Sequence, residues 1–239
     1  DAPKILLAAN SGQTLYLVNQ DGKCAAINIH ALPISEGDDS GATLAKVSAF
    51  SKEDNIGAGF SLTSSKRHPE NVTVLTITCQ GLIKRSLVND LPGPSAELFT
   101  LVKVNDGDQF LDAKIITGDP ELLVFTDSGM GIRFESQEVR TMGLIAAGVN
   151  ALKLSPEDKV VAIVPLVGKG EILAVATDGT GWRVDESAFP MQGRYGAGVI
   201  GFKMSPKTHI VGVGYGKMNQ QLSIQLEKSA AKVVRMDAI

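Results

Sequence analysis

The chain has 239 residues, of which 44% are hydrophobic and 5% aromatic, and its formal net charge at pH 7 is −3. This composition is typical of a globular protein with an aliphatic core, and the charge is not that of a simple, strongly basic nucleic-acid binder. No apolar run approaches the ~18 residues that cross a membrane, and no basic segment precedes an apolar stretch at the start. We therefore predict a soluble, cytoplasmic chain without a targeting signal. Because the sequence begins without Met, we also expect it to be cut from a longer protein.

Two phrases recur along the chain. A polar phrase begins at residues 50, 104, 154 and 204, in steps of 54, 50 and 50. A second phrase, an apolar strand followed by a small polar turn and a shorter strand ending on a basic residue, recurs with its turn at residues 22, 81, 129, 179 and 231. A period of this size indicates stacked or radially arranged units. We predict one domain over residues 1–239, with repeats at about 4–50, 54–104, 108–154, 158–204 and 208–239.

Each repeat predicts four short β-strands. In the fourth repeat the apolar runs are short, rich in β-branched residues and bounded by Gly, Asp or Pro, at residues 159–166, 171–176, 180–184 and 199–204. The acidic residues 35–41 are predicted to be a surface loop. Isolated sheets of this size leave their faces bare, so we predict an all-β chain whose four-stranded sheets, each made by one repeat, pack as blades around a common axis.

The cysteines and histidines predict no metal or catalytic centre. Cys24 and Cys79 have no Cys-x-x-Cys partner, and we expect free, buried thiols in a reducing compartment. The three histidines, His30, His68 and His209, are widely spaced and have no acidic partner at ligand spacing.

Charge is distributed unevenly along the chain. Residues 1–120 carry 10 Lys or Arg against 14 Asp or Glu, whereas residues 187–236 carry 7 basic residues and one acidic residue. A local basic surface attracts a polyanion even when the total charge is negative. A solvated face without a partner explains the same charges, and both interpretations stay open at this point.

The repeats resemble those of the C-terminal domain of the DNA gyrase A subunit; the related domain of the topoisomerase IV A subunit is a near neighbour. The resemblance is carried by residues 129–134, 139–143 and 148–149, followed by residues 154–161, and by the fixed order of the two phrases over essentially the whole chain. It implies a β-pinwheel, a propeller-like disc of about five to six four-stranded blades that exchange strands with their neighbours. It also implies that the domain binds and bends double-stranded DNA around its outer rim.

A seven-residue basic box, Gln-Arg-Arg-Gly-Gly-Lys-Gly, marks the family, and the nearest match in this chain is residues 192–198. The match keeps Gln192, Arg194, Gly196 and Gly198 and loses three positions, two of them basic. Either the chain begins after a blade that carries the full box, or it resembles the topoisomerase IV proteins, which lack one. The first alternative implies wrapping and supercoiling as in gyrase. The second implies weaker, more local contact that tunes the choice of DNA substrate.

The repeat period nominates basic side chains that contact DNA phosphates. One class is the residue that ends the third strand of each repeat, and a second lies in and after the connection before the last strand. The predicted DNA-binding residues are Lys84, Arg85, Arg133, Arg140, Arg183, Gln192, Arg194, Gly196, Gly198, Lys203, Lys207, Lys232 and Arg235. For each recurring arginine, a structural role in packing between blades is equally open.

The resemblance implies that this domain is not catalytic. Strand cleavage in the family uses a tyrosine and metal-binding acidic residues of other domains, and Tyr16, Tyr195 and Tyr215 match no such motif. The domain is expected to need no cofactor, whereas the parent topoisomerase is expected to use ATP and Mg²⁺. The implied partners are double-stranded DNA, the B subunit and the remainder of the topoisomerase A subunit, with no membrane. A rival of a different class is a blade-repeat scaffold that binds proteins.

Overall fold

The computed structural model describes residues 4–34, 41–65, 67–224 and 231–238, and the regular elements in these ranges are almost entirely β-strands. The single α-helix there, α1 (Leu44–Val47), has four residues. Five 3-10 turns follow β-strands, at Ile29–Ala31, Val88–Asp90, Ser136–Glu138, Glu186–Ala188 and Met236–Ala238. No helix in these ranges is long and apolar enough to cross a membrane. The loop predicted at residues 35–41 lies, except for Gly41, outside the described residues.

Seventeen strands occur in the described ranges. In chain order they are β1 (Gln13–Asn19), β2 (Lys23–Asn28), β3 (Ile56–Thr63), β4 (Val72–Thr78), β5 (Leu82–Leu87), β6 (Phe99–Thr100), β7 (Phe110–Thr117), β8 (Glu121–Thr126), β9 (Met130–Glu135), β10 (Val149–Asn150), β11 (Val160–Leu166), β12 (Glu171–Ala176), β13 (Gly181–Asp185), β14 (Val199–Ile200), β15 (Ile210–Gly216), β16 (Gln221–Ile224) and β17 (Lys232–Arg235).

Antiparallel pairing joins these strands into five sheets, which we call blades I to V. From one edge to the other, blade I is β3-β1-β2-β6, blade II is β7-β4-β5-β10 and blade III is β11-β8-β9-β14. In the described ranges blade IV is β15-β12-β13 and blade V is β16-β17. Strands β3, β7, β11 and β15 contact one another in this order, as inner strands around a common axis do. The predicted all-β fold with four-stranded, propeller-like blades is confirmed.

The blades do not coincide with the sequence repeats. Strands β11 and β14 both come from residues 158–204, yet they flank the hairpin β8-β9, which comes from the preceding repeat. The hairpin β12-β13 between them in sequence belongs to blade IV. The expectation that one contiguous repeat makes one sheet is therefore wrong. Neighbouring repeats exchange strands, as the family resemblance implies.

The recurring polar phrase forms the turn before each inner strand, and before β3, β7 and β11 its aspartate binds the hairpin turn of the same blade. The carboxylate of Asp158 accepts hydrogen bonds from Ser128 N at 3.2 Å and Ser128 Oγ at 2.7 Å. In blade I, Asn19 Nδ2 donates to Asp54 over 2.8 Å, and this bond, together with the Ser51 N–H, lowers the pKa of Asp54 below its usual 3.8. The phrase therefore recurs because its aspartate ties the turn before the inner strand to the hairpin of blades I to III.

Apolar side chains fill the space between adjacent blades. Blades III and IV share a cluster in which Phe125, Phe189 and Phe202 are at most 2% exposed and pack against Trp182. Similar clusters lie between blades I and II and between blades II and III. Each fully buried Leu, Ile or Phe contributes about 1.5–3 kcal/mol. These buried clusters hold adjacent blades together and so fix the positions of the outer strands.

Candidate functional site

A lysine follows the outer strand of each four-stranded blade. We call the outer strands and the connections that lead to them the rim (residues 91–103, 139–153 and 189–203). Lys103, Lys153 and Lys203 each lie three residues after the end of β6, β10 or β14, and all three are exposed. None forms an ion pair with another described residue. Their positive charges are therefore available to an outside partner.

The position of each rim lysine follows from the residues before it. Ala151 N donates to Gly81 O over 2.8 Å, which fixes the chain against the hairpin turn of the same blade. Leu152 is 4% exposed because it inserts between the blades. Side chains alternate along extended backbone, so Lys153 lies on the outside. Blades I and III repeat this arrangement around Lys103 and Lys203.

Sequence reasoning found Lys203 but missed Lys103 and Lys153. The signal was nonetheless present, because each of the three lysines immediately precedes a copy of the polar phrase, at residues 104, 154 and 204. The rim lysines thus recur with the same spacing of 50 residues as the polar phrase.

The arginine that ends the third strand is a strut between blades. Arg133 of β9 forms an ion pair with Glu121, and its Nη1 donates to Glu186 O over 3.1 Å. Glu186 belongs to the 3-10 turn after the third strand of the next blade. The side chain is 18% exposed. Arg133 therefore ties blade III to blade IV.

The same strut recurs at the equivalent positions in the neighbouring blades. Arg183 pairs with Glu171 at 2.9 Å and donates to Met236 O over 2.6 Å. Arg85 pairs with Asp119 at 2.9 Å and donates to Ser136 O over 3.1 Å. The prediction that Arg85 contacts DNA is wrong for this structure, because the residue is 9% exposed and its guanidinium is occupied. Arg133 and Arg183 would have to break protein bonds to reach a phosphate.

Arg133→Ala is expected to lower the free energy of unfolding by about 1–3 kcal/mol, because it leaves the partly buried Glu121 carboxylate and a carbonyl without their donor. Arg133→Lys should recover only part of this, since one ammonium does not reproduce the planar fork of donors. Urea denaturation measures both. Arg140, which is exposed and forms no ion pair with another described residue, supplies the control, and Arg140→Ala should change stability by less than about 0.5 kcal/mol. Equal losses of unfolding free energy for Arg133→Ala and Arg140→Ala would contradict the role of Arg133 as a strut between blades.

Lys84 is the residue for which the sequence prediction differs most from the structure. The side chain is fully buried, and Nζ donates to Leu101 O and Leu144 O, each at 2.6 Å, and to Gly143 O at 3.3 Å. Burial lowers the pKa of Lys84 to about 8, and no carboxylate of the described residues pairs with the ammonium. The prediction that Lys84 contacts DNA directly is wrong, because the ammonium lies inside a cage of three carbonyls.

The box-like segment, residues 192–198, packs against blade III and the outer strand of blade II. Arg194 Nε donates to Glu138 O over 3.2 Å, and its Nη1 donates to Asn150 O. Gly198 has a φ of +77°, and a Cβ there would lie 2.7 Å from Gly131 O. Its glycine is explained by this close approach of two backbones, without a ligand. A Cβ at Gly196 would lie 2.9 Å from Gln192 Oε1, the movable end of a side chain, and 3.2 Å from Gly193 O, so the constraint on Gly196 is weaker than that on Gly198.

The remaining predicted residues are exposed. Arg140, Lys203 and Lys207 form no ion pair with another described residue, and Lys207 adopts a φ of +69° in the turn before β15. On β17, Lys232 is exposed, whereas Arg235 pairs with Asp237. Within the described ranges, no group of three or more His, Cys, Asp or Glu side chains is placed to hold a metal ion. The chemistry available on the rim is that of cations and backbone amides.

Two repeats of the chain match a known family. The model of the DNA gyrase C-terminal domain, described as a β-propeller, matches residues 120–166 and 170–214. The DNA gyrase A protein of Salmonella typhimurium is 27% identical over 159 residues, which are 66% of this chain and 18% of that protein. The DNA gyrase A protein of Lawsonia intracellularis is 27% identical over 160 residues, 67% of this chain and 19% of that protein. The chain thus spans about a fifth of the length of the curated relatives it matches.

Solved structures agree on the fold. A crystal structure of the C-terminal domain of DNA topoisomerase IV superposes with a TM-score of 0.86 at 21% identity, over 97% of this chain and 72% of that one. A structure of the DNA gyrase A C-terminal domain gives a TM-score of 0.53 at 18% identity, over 87% of this chain and 83% of that one.

Proposed function

Because the chain belongs to the DNA gyrase A C-terminal domain family, we propose that its rim binds double-stranded DNA and bends it. The observation that carries this proposal is the lysine found once in each four-stranded blade on the rim, at Lys103, Lys153 and Lys203. Lysines free of carboxylates replace the counterions along a duplex and so bind phosphates with little reading of base sequence. Exposed Arg140 and Lys207 add further positive charge.

The rim of one blade continues into the rim of the next, which supports a path for a duplex rather than isolated contacts. Lys103 N donates to Ala146 O over 3.3 Å, and Lys153 N donates to Gly196 O over 2.9 Å. Lys103 and Lys153 therefore each adjoin the connection of the following blade. Blades arranged around an axis make this path curved. Bending a short duplex along it costs a few kcal/mol, which additional phosphate contacts offset.

A titration of a fluorescent 30-base-pair duplex at two salt concentrations tests the proposal. Three lysine contacts predict a log–log slope of affinity against salt near −2.7, so that affinity falls about 40-fold between 50 and 200 mM salt. Absence of binding at the lower salt concentration, or binding with no salt slope, would reject DNA as the partner. That result would favour a scaffold that binds proteins through the same blades.

The role in the whole protein is part of the proposal. The domain positions duplex DNA for strand passage by a type IIA topoisomerase, within the cytoplasm. It does so together with the B subunit and the other domains of the topoisomerase, which carry the ATP- and Mg²⁺-dependent steps. The domain itself contributes no catalytic group. Of its tyrosines, Tyr16 is buried and Tyr215 OH donates to Gly168 O over 3.0 Å.

A second candidate is local DNA contact that tunes substrate choice, as expected for a topoisomerase IV protein. It is favoured by the box-like segment, where Gly193 and Ala197 replace basic residues and the Arg194 guanidinium is bonded to protein carbonyls. Relaxing a closed circular DNA with a nicking-closing enzyme in the presence of the chain separates the two. A shift in the linking-number distribution supports wrapping, and an unshifted distribution with binding intact supports local contact.

A further inference from the structure

Two turns on the rim are built alike. The first rim turn, residues 143–146, is closed by a hydrogen bond from Ala146 N to Gly143 O at 3.1 Å, and it leads to β10. The second rim turn, residues 193–196, is closed by the equivalent bond from Gly196 N to Gly193 O at 3.2 Å, and it leads to β14. The two turns lie 50 residues apart in sequence and occupy the same place in consecutive blades.

The middle peptides of the two turns face in opposite directions. In the first turn, Leu144 O points inward and accepts from Lys84 Nζ at 2.6 Å. In the second, Tyr195 N points inward and donates to Ala151 O over 2.9 Å. The C=O and N–H of a trans peptide point in opposite directions. The first turn therefore directs the Ile145 N–H outward, whereas the second directs the Arg194 carbonyl outward.

The backbone angles agree with this difference. Tyr195 has a φ of +68°, the conformation of the third residue of a type II turn, which favours glycine. Ile145 is not among the described non-glycine residues with positive φ, as expected for a type I turn. Because the first turn closes without positive φ, the rim does not by itself require the strained conformation of Tyr195.

The third-strand residue that lies beneath each turn explains why the two middle peptides are oriented differently. Lys84 and Ile132 occupy the same position of the third strand, directly before the arginine strut. Leu101 O and Ala151 O are also equivalent, and each needs a hydrogen-bond donor. Lys84 Nζ supplies it to Leu101 O at 2.6 Å. Ile132 has no donor, so the second turn reverses its middle peptide, and Tyr195 N–H supplies the bond to Ala151 O.

We infer that Lys84 is a positioning residue, which fixes the first rim turn so that the Ile145 N–H faces outward as a donor for a DNA phosphate oxygen. The Ile145 N–H has no acceptor among the described residues, and the Ile145 side chain is 78% exposed. The ammonium bound to the carbonyl of the same peptide polarises that peptide and strengthens its N–H as a donor. Exposed Lys103, whose N–H donates to Ala146 O over 3.3 Å, adjoins the site. The inference rests on the proposed DNA-binding function and assigns one contact within it.

The direct test uses the unsubstituted chain with and without a saturating 30-base-pair duplex, and amide hydrogen exchange is followed in NMR spectra. DNA should slow exchange of the Ile145 amide at least about 10-fold and leave the Tyr195 amide, which is already bonded, unchanged. An Ile145 amide that exchanges equally fast with DNA bound would overturn the inference.

A pair of variants tests the role of Lys84. Lys84→Ile alone would force Ile145 towards positive φ, which a β-branched residue resists, so the variant is made together with Ile145→Gly. The comparison is between K84I/I145G and I145G, which share the glycine. The double variant should bind DNA about 10-fold more weakly, and its residue 145 amide should become protected in the free chain by a bond to Leu101 O. Equal affinity of the two chains, or an unprotected amide, would contradict the inference.

The outcomes separate the two proposals. If the natural chain fails to bind DNA at low salt, the proposed function fails. If it binds with the expected salt slope while the Ile145 amide stays unprotected and the two variants bind equally, only the positioning role of Lys84 fails.

Discussion

Replacing Lys103, Lys153 and Lys203 together by alanine is expected to weaken duplex binding on the order of 100-fold at about 0.1 M salt. Each phosphate contact releases close to one counterion, so the salt slope should fall by about 2.7 in the same variant. Stability should change little, because all three side chains are exposed and unpaired among the described residues. Fluorescence anisotropy with a labelled duplex measures affinity and slope, and urea denaturation checks the fold.

A variant with the same loss of charge provides the control. Lys159, Lys169 and Lys217 are also exposed and form no ion pair with another described residue, but they lie beside the inner strands, away from the rim. Their replacement by alanine should retain most of the affinity and slope, because phosphates bound at the rim lie far from the axis. If both triple variants lose affinity equally, total charge rather than the rim governs binding, and the rim is not the site.

Phe202→Ala is expected to lower the free energy of unfolding by about 3–5 kcal/mol. Phe202 is 2% exposed, and its ring centroid lies 5.8 Å from those of Phe125 and Trp182 and 6.2 Å from that of Phe189. Its removal opens a cavity where the outer segment of blade III packs on blade IV. The loss is a large fraction of the roughly 5–15 kcal/mol of a typical domain. Urea and thermal denaturation measure it.

Ile200, two residues earlier, is the matched control. It lies in β14 with its side chain 73% exposed, so Ile200→Ala should change stability by less than about 0.5 kcal/mol. Similar losses for the two variants would show that the outer segment does not depend on burial of Phe202.

The local structure of this chain was predictable because its signals are short-range. The runs predicted at residues 159–166 and 171–176 correspond to β11 and β12, and Gly179 turns the next hairpin with a φ of +84°. The assignment of strands to blades was not accessible from residues alone. The outer strand β14 has two residues, and its partner β9 lies more than 60 residues away in sequence, so no local pattern specifies the pair.

The candidate site was predicted only in part. The repeat period selected Arg133 and Arg183 as charged residues. It did not show that each forms an ion pair with a glutamate 12 residues earlier, Glu121 and Glu171, on the other strand of the hairpin. That constant spacing was a readable sign of an internal ion pair. The orientation of Lys84 had no such sign, because its acceptors are carbonyls from two distant connections.

The exchange of strands between neighbouring repeats also determines how the number of repeats in this fold can change. Within the described ranges, no single repeat encodes a four-stranded sheet, so a cut at the boundaries of such a sheet would leave a neighbouring hairpin without its edge strands. Removing or adding one whole repeat of about 50 residues instead lets each remaining repeat donate its strands to the new neighbour. Every hairpin between two repeats then keeps both of its edge strands. Gene duplication and loss can therefore alter the number of blades while the fold stays intact, and the arc available to a bound molecule grows or shrinks in whole steps.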